Sequence, residues 1–461
     1  MGSYILKRVL LIIPTLLLVM MIAFFLSKLV PGDDAEALST LQGVLPDSRN
    51  AAAEYKRNYL KLGLDKPNFY FSLTPDFYPP NQNAIVDAVK RQQVKYFLNQ
   101  KSDYKAVVMY MDTRDSFLLV IADEISSTDT TRRLREMAQK LRFNTNIDEI
   151  QSYFSDSVYI GFKNLRLFDE LEKSASHLSA SRHSWYFPSL HWHGANNQFH
   201  QRMSSFLKGD PGISVKDGRK VSEKIYYALK WTLLLLVLNV VLSVVISVPI
   251  GLYAGFRANS KFDKISNIIT LFLYSIPVFW LASLLIIYFT SAQYGSWMNI
   301  FSTPGSWYVP HGQSMAESLR QYSSQLVLPI ICLVANDISQ LSRIVRNNVL
   351  EQKSKLYVLF AISKGLTDVK LIKNHILPNV LLPLITVIGG KVPSGLSGAL
   401  LIEVIFNIPG MGRLMYDSIY SADWPVVFGI LLVVGIFTIV FMLLTDIAYS
   451  LANPKIKYGY Q

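Results

Sequence analysis

The sequence predicts an all-α polytopic membrane protein of six transmembrane helices, with a small α/β domain inserted into its first external loop. Three observations carry that prediction. Hydrophobic residues make up 51% of the 461 positions while charged residues still reach 17%, and the two populations are segregated along the chain. Charge-free apolar windows recur, each long enough for the ~20 residues that a crossing of the hydrocarbon requires. One long polar stretch, between the first two windows, has the periodicity of a soluble fold.

The clean windows are 9–27, 231–256, 265–287 and 424–445. Two further spans carry one charge each: 325–342 holds Asp337, and 380–402 holds Lys391. The first window does not read as a cleaved signal peptide, because its apolar run is too long and LSKLVPGDD offers no small-residue cleavage site. The chain therefore divides into residues 1–30 (first span), 31–230 (an external region with an insert at about 71–182) and 231–461 (five further spans).

Basic residues near span ends set the orientation. Lys7 and Arg8 precede the first span; Arg257, Lys261 and Lys264 separate the second and third; Lys455 and Lys457 follow the sixth. Between the fourth and fifth lie Arg343, Arg346, Lys353, Lys355, Lys364, Lys370 and Lys373, whereas the alternate short loops hold only Arg320 and Arg413. Both termini are thus predicted to be cytoplasmic and the long loop external. This bias accounts for much of the net charge of +12, so nucleic acid need not be invoked as a partner.

The loop at 348–378 is too charged to lie in a bilayer and too regular to be a slack linker. Leu356, Leu359, Phe360 and Ile362 support a helix, and Gly365 supplies a left-handed stop. Thr367 or Asp368 can cap a second helix, because a side-chain oxygen satisfies free amides at a helix start. The shape is a helix–turn–helix with an exposed apex around Lys364, Leu366 and Asp368, suited to mechanical coupling. The competing reading is a basic amphipathic loop lying on anionic lipid.

In the external insert, KAVVMYMD at 105–112 and SFLLVIAD at 116–123 read as two strands joined by a polar turn. The stretches beginning at Thr130, Ile147 and Asn164 read as amphipathic helices. A docking surface, a cap over the outer mouth and a family-specific decoration are its candidate roles. His183, His191, His193 and His200 cluster with Trp185 and Trp192, but a metal site needs ligands converging on one point; an aromatic amphipathic segment at the outer interface is the better reading. The single cysteine, Cys332, falls inside the fourth span and reads as a packing residue.

Ionisable groups at membrane depth usually mark a pathway. Asp337, with Asn336 beside it, and Lys391, among glycines, are candidates to line a translocation path; a structural ion pair between Asp337 and Lys391 is the alternative. Glu403 marks the outer end of the fifth span as a rim or gate residue. Beyond it, 405–423 reads as an external half-buried helix. There is no G-x-x-x-x-G-K-[ST] phosphate cradle, HExxH motif or nucleophile elbow, so an enzyme is not expected, and uphill transport would draw energy from another chain.

Several of these segments resemble a known family. Ala361, Gly365, Leu377 and Pro378 look like the "EAA" loop of ABC importer permeases, although Leu359 and Phe360 stand where the motif has Glu and Ala, and His375 where it often has Ile. SYILKRVLLIIPTLLLV, LGLDKP, KGDPGISVKDGRKVSEKI, LSGALLIEVIFNIPGMGRLMYDSI, DWPVVFG and NPKIKYG are similar to the dipeptide, oligopeptide and nickel branch of those permeases. The resemblance covers the N-terminus and nearly everything from about Ser184, and leaves out the middle of the external loop. It implies a type I importer fold, a bacterial inner-membrane location, and no cofactor on this chain. It further implies two ABC ATPase subunits that bind ATP and magnesium, the 348–378 loop docking onto the ATPase, a second homologous permease subunit, and an extracytoplasmic solute-binding protein. Peptides are the expected substrate, with nickel or another small solute as the alternative. A receptor, or a mechanotransmitter with an external domain, fits less well: the first wants a signalling domain and the second only four spans.

Overall fold

A computed structural model describes residues 2–29, 33–44, 50–123, 129–155, 166–181, 183, 187–291, 295–301, 304–305 and 315–452. Trp185, Lys455, Lys457 and the NPKIKYG run lie outside the described residues, as does the side chain of Arg320. The chain divides into two compact units, one made of Met1–Pro31 and Asp210–Gln461, the other of Gly32–Gly209.

The first helix, α1 (Gly2–Leu29), belongs to the membrane unit. The appended unit follows with α2 (Asp34–Leu41), α3 (Ala51–Lys61), β1 (Phe71–Pro75), α4 (Ala88–Asn99), α5 (Tyr104–Asp123), α6 (Asp129–Phe143), α7 (Ile147–Ser155), α8 (Arg166–Ala180), β2 (Pro188–Trp192) and α9 (Gln198–Leu207). Its core is helical: Val94 and Phe97 of α4, Tyr110 and Met111 of α5, Met137 of α6 and Phe168 of α8 are buried together. The α/β expectation is corrected here, since 105–112 and 116–123 are one continuous helix, α5. The apolar positions Val107, Tyr110, Met111, Phe117 and Ile121 recur with a period near 3.6 and all face the core. The polar run Asp112–Asp115 that suggested a turn rides on this helix, with Arg114 on the buried side. The sheet present among the described residues is a two-stranded antiparallel ribbon of β1 and β2, in which Phe71 faces Trp192 and Pro75 faces Pro188.

The membrane unit continues with α10 (Val221–Phe256), α11 (Lys261–Ser275), α12 (Val278–Phe289), α13 (Met315–Lys353), α14 (Leu356–Ser363), α15 (Asp368–Leu371), α16 (Leu377–Gly398), α17 (Leu400–Ile405), α18 (Met411–Tyr420) and α19 (Trp424–Ala452). Four stretches can cross a membrane alone: Val221–Phe256, Tyr322–Lys353, Asp368–Lys391 and Trp424–Tyr449. The predicted third span is broken, because α11 and α12 meet at 93°, where Ile276–Pro277 takes extended backbone. With α11–α12 and α1–α2 each counted as one span the number reaches six; by length and composition it is four to six.

Small residues bring these helices together. A Cβ on Gly251 or Gly255 of α10 would fall 2.6 Å from the Ser342 carbonyl oxygen or 2.7 Å from that of Arg346, so α10 and α13 lie backbone to backbone. Gly389 of α16 makes room for the Thr445 side chain of α19, and Gly435 of α19 for the Leu16 side chain of α1. Cys332 is fully buried with Trp231, Leu235 and Ala282.

Candidate functional site

The segment between α13 and α16 forms the expected helix–turn–helix. Val358 and Ala361 of α14 and Leu371 of α15 are buried against Leu341, Val345 and Val349 of α13, with Ile376 and Val380. Gly365 ends α14 with φ 76°, and nothing approaches within 4 Å of where its Cβ would be. Thr367 occupies the cap position of α15 but makes no side-chain cap bond. A π turn at Ile372–Ile376 joins α15 to α16 just before Pro378, whose missing amide and ring bulk a regular turn accommodates poorly.

The outer face of this loop is the notable part. Leu356, Leu359, Phe360, Ile362 and Val369 are exposed, Leu356 at 84% and Val369 at 74%. The apolar residues that support α14 in the sequence therefore point away from the core, and the inward residues are Val358 and Ala361. Lys364, Thr367, Asp368 and Pro378 are exposed at the apex and base, Leu366, His375 and Leu377 half-buried. Lys364 lies 4.6 Å over the Phe360 ring. Tyr357 closes the base: its hydroxyl donates to Gln352 (2.6 Å) and accepts from Asn379 (3.2 Å), while Asn379 also donates to the His375 carbonyl (2.8 Å). Burial pushes this phenol above its ordinary pKa, against the pull of Lys355 and the bond from Asn379, so it stays protonated at neutral pH.

Two contacts tie the loop's foundation to neighbouring helices, and sequence reading missed both. Arg346 grips Asp263 with Nε at 2.5 Å and Nη2 at 2.8 Å, a two-pronged geometry available only to a guanidinium. Lys353 donates to the Phe256 carbonyl at 2.6 Å. The G-x-x-x-G spacing of Gly251 and Gly255 was the available signal that α10 and α13 pack this closely.

At membrane depth, Lys391 of α16 and Asp337 of α13 meet, Nζ to Oδ1, at 2.5 Å. Asn239 of α10 donates to the other carboxylate oxygen at 2.8 Å and accepts from Ser243 at 3.2 Å. Asn336 is half-buried beside the pair. The structure thus joins two of the sequence-predicted residues into one three-helix polar cluster.

Glu403 is fully buried in α17. Thr232 donates to Oε1 at 2.6 Å, and the amides of Gly412 and Arg413 to Oε2 at 2.7 and 3.1 Å. A carboxylate here satisfies free amides at the start of α18. A Cβ on Gly410 would stand 2.4 Å from the carboxylate oxygens, which is why glycine precedes the helix. Asp423, also fully buried, accepts from Ser214 Oγ (2.5 Å) and the Val215 amide (3.1 Å). Burial raises the neighbouring Asp217, but its bonds from Lys224, Ser214 and the Arg219 amide prevail and hold it below the usual carboxylate range.

The histidines do not converge. His191 pairs with Ser189, His193 with Ser72 and His200 with Tyr70, at 2.9, 2.9 and 3.0 Å, and His183 stacks on Phe77. Among the described residues no three His, Cys, Asp or Glu side chains gather as for a metal.

Comparison with known proteins meets this geometry. Residues 247–458 match the family model described as "Binding-protein-dependent transport system inner membrane component". The chain is 30% identical over 265 residues to the oligopeptide transport system permease protein AppB of Bacillus subtilis (strain 168), covering 57% of this chain and 80% of that protein. It is 32% identical over 261 residues to the probable peptide ABC transporter permease protein y4tP of Sinorhizobium fredii, with shares of 57% and 80%. It is 31% identical over 276 residues to the dipeptide transport system permease protein DppB of Alkalihalophilus pseudofirmus, with shares of 57% and 81%. Together with the multi-helix membrane unit, these matches show that the chain belongs to the binding-protein-dependent transport system inner membrane components, the permease subunits of ABC transporters.

Proposed function

We propose that the chain is the transmembrane permease subunit of an ATP-driven bacterial inner-membrane importer that takes up peptides delivered by a solute-binding protein. The single observation that carries the coupling half is the loop at 348–378, whose exposed apolar face is a surface of the kind that marks a protein partner. One of two ATPase subunits docks there, around Lys364, Gly365, Leu366, Thr367 and Asp368. Their closure on ATP and magnesium moves α14 and α15, and the buried residues Val358, Ala361 and Leu371 pass that motion to α13. The Arg346–Asp263 clamp carries it to α11.

A second, homologous permease completes the path, which opens around the Asp337–Lys391 cluster and is bounded outside by α18, held on Glu403. Both termini are cytoplasmic and the appended unit is external, as the basic-residue bias supports. The relatives' names support peptides over nickel. The test is uptake of a labelled di- and oligopeptide panel, with nickel as comparison, by a strain lacking the gene and by the same strain carrying it. Restored uptake of peptides supports the reading, and restored uptake of nickel alone overturns it.

A further inference from the structure

The appended helical unit holds a cleft that nothing in the transport mechanism uses. It lies among α4, α5 and α6, with a volume of about 770 Å³, inside the ~300–1,000 Å³ range of small-ligand sites. Arg114 of α5 lines it and is only 4% exposed. Its Nη2 donates to Gln93 Oε1 at 3.0 Å and Asp115 Oδ1 at 2.8 Å, and its Nε to the same Asp115 oxygen at 3.2 Å. Its Nη1 is buried and has no hydrogen-bond partner. A buried unsatisfied donor costs ~1–3 kcal/mol, more when charged, and the remaining Nη1 hydrogens of this guanidinium suit an anionic oxygen.

The surroundings favour an anion. Arg135 and Arg142 line the same cleft with Lys90, which is itself paired with Asp112 at 2.9 Å, and the two carboxylates of the lining are already engaged. Asp115 is held by Arg114 and faces Lys90 at 3.7 Å, and Asp87 caps α4 by accepting from the Lys90 amide at 3.0 Å. Gln93 is fixed in turn, because its Nε2 donates to the Arg142 carbonyl at 3.0 Å. The rim is apolar and open: Val89, Leu119 and Phe143 are 60%, 68% and 70% exposed. A cationic floor under an apolar rim suits a carboxylate attached directly to an apolar group, which inorganic anions lack.

We propose that this cleft binds the C-terminal carboxylate of a short peptide with an apolar last side chain, Arg114 receiving the carboxylate and Leu119 and Phe143 the side chain. The choice of peptide over another apolar carboxylate rests on the peptide reading above. The site would hold substrate on the appended unit, apart from the translocation path.

The test uses the full chain in lipid nanodiscs and fluorescence anisotropy of N-terminally labelled Gly-Gly-Phe, compared with its C-terminal amide. The free acid should bind about tenfold or more tighter than the amide, the equivalent of one ~1.4 kcal/mol step. Arg114→Gln should abolish that preference if it folds; Leu119→Asp, at an exposed position that carries no fold burden, should weaken binding of the free acid about tenfold or more without moving the melting temperature. Equal affinity for acid and amide, or an unaltered free-acid affinity in Leu119→Asp, overturns the site. Binding of dodecanoate but not of the tripeptide overturns the peptide assignment. Tripeptide uptake by the complete importer is measured in parallel: uptake without anisotropy signal removes this proposal alone, and absent peptide uptake removes the peptide reading.

Discussion

Lys391 Nζ stands 2.5 Å from Asp337 Oδ1, and Asn239 occupies the second carboxylate oxygen. The pair is therefore partnered at membrane depth, as the structural-bridge alternative expects, and its place on a translocation path belongs to the proposed function. Charge there is tolerable only against a partner or water. Removing one member of a buried pair costs about 3–5 kcal/mol, whereas replacing both with apolar residues is often neutral. Lys391→Met and Asp337→Ala should each destabilise the solubilised permease, and Asp337→Leu/Lys391→Leu should recover its thermal stability. Peptide uptake should stay low in all three. Full uptake by the stable double variant would reduce the pair to scaffolding.

The Glu403 carboxylate holds α18 by two amides and Thr232. Glu403→Ala strands three buried donors at ~1–3 kcal/mol each, while Glu403→Gln keeps an acceptor. Thermal unfolding in detergent should rank wild type above Glu403→Gln and that above Glu403→Ala. Gly410→Ala should resemble Glu403→Ala, because its methyl group would meet the carboxylate. An unchanged melting temperature in Glu403→Ala would dismiss the anchoring role.

Arg346 and Asp263 test how motion leaves the coupling loop. Arg346→Lys keeps the charge and loses the fork. The assembled importer carrying it should hydrolyse more ATP for each peptide moved, at normal membrane levels. A wild-type ratio would mean that the clamp only supports the fold.

The ribbon register makes the helical part of the appended unit, α4 to α8, removable at a defined place. Pro75 and Pro188 face each other across β1 and β2, and beyond these prolines, which lack the amide a hairpin turn needs, the Asp76 amide donates to the Phe187 carbonyl at 3.0 Å, so residues 77–186 can be replaced by a short Asn-Gly turn that closes a hairpin. Cutting at Phe71 would instead leave β2 without its partner. The shortened chain should insert and join its ATPases, with a raised requirement for binding protein. Failed assembly would make the unit a structural part of the permease.

Spans with clean apolar windows were legible because lipid imposes one dominant rule on side-chain polarity. The break at Pro277 was not read, since a continuous apolar run hides a 93° bend. In the appended unit, β-branched and aliphatic residues at 105–123 suggested strands, and the core overrode that propensity by burying Tyr110, Met111 and Phe117 along one helical face. Gly365 and the Asp337–Lys391 alternative were readable from local chemistry. Asp263 with Arg346, and Asp423 with Ser214, were not, because each pairs residues far apart in the chain and neither partner is unusual alone.

The coupling loop is the centre of the account, and Gly365 is its most direct probe. Its φ of 76° is open to glycine and closed to proline, which is fixed near −65°, and its amide donates to the Ile362 carbonyl at 2.9 Å, a bond proline cannot make, so Gly365→Pro alters the turn. The measurement is ATP-driven peptide uptake by the Gly365→Pro importer at matched membrane levels. The account predicts that uptake is lost while the permease remains folded and inserted. Normal uptake would contradict it.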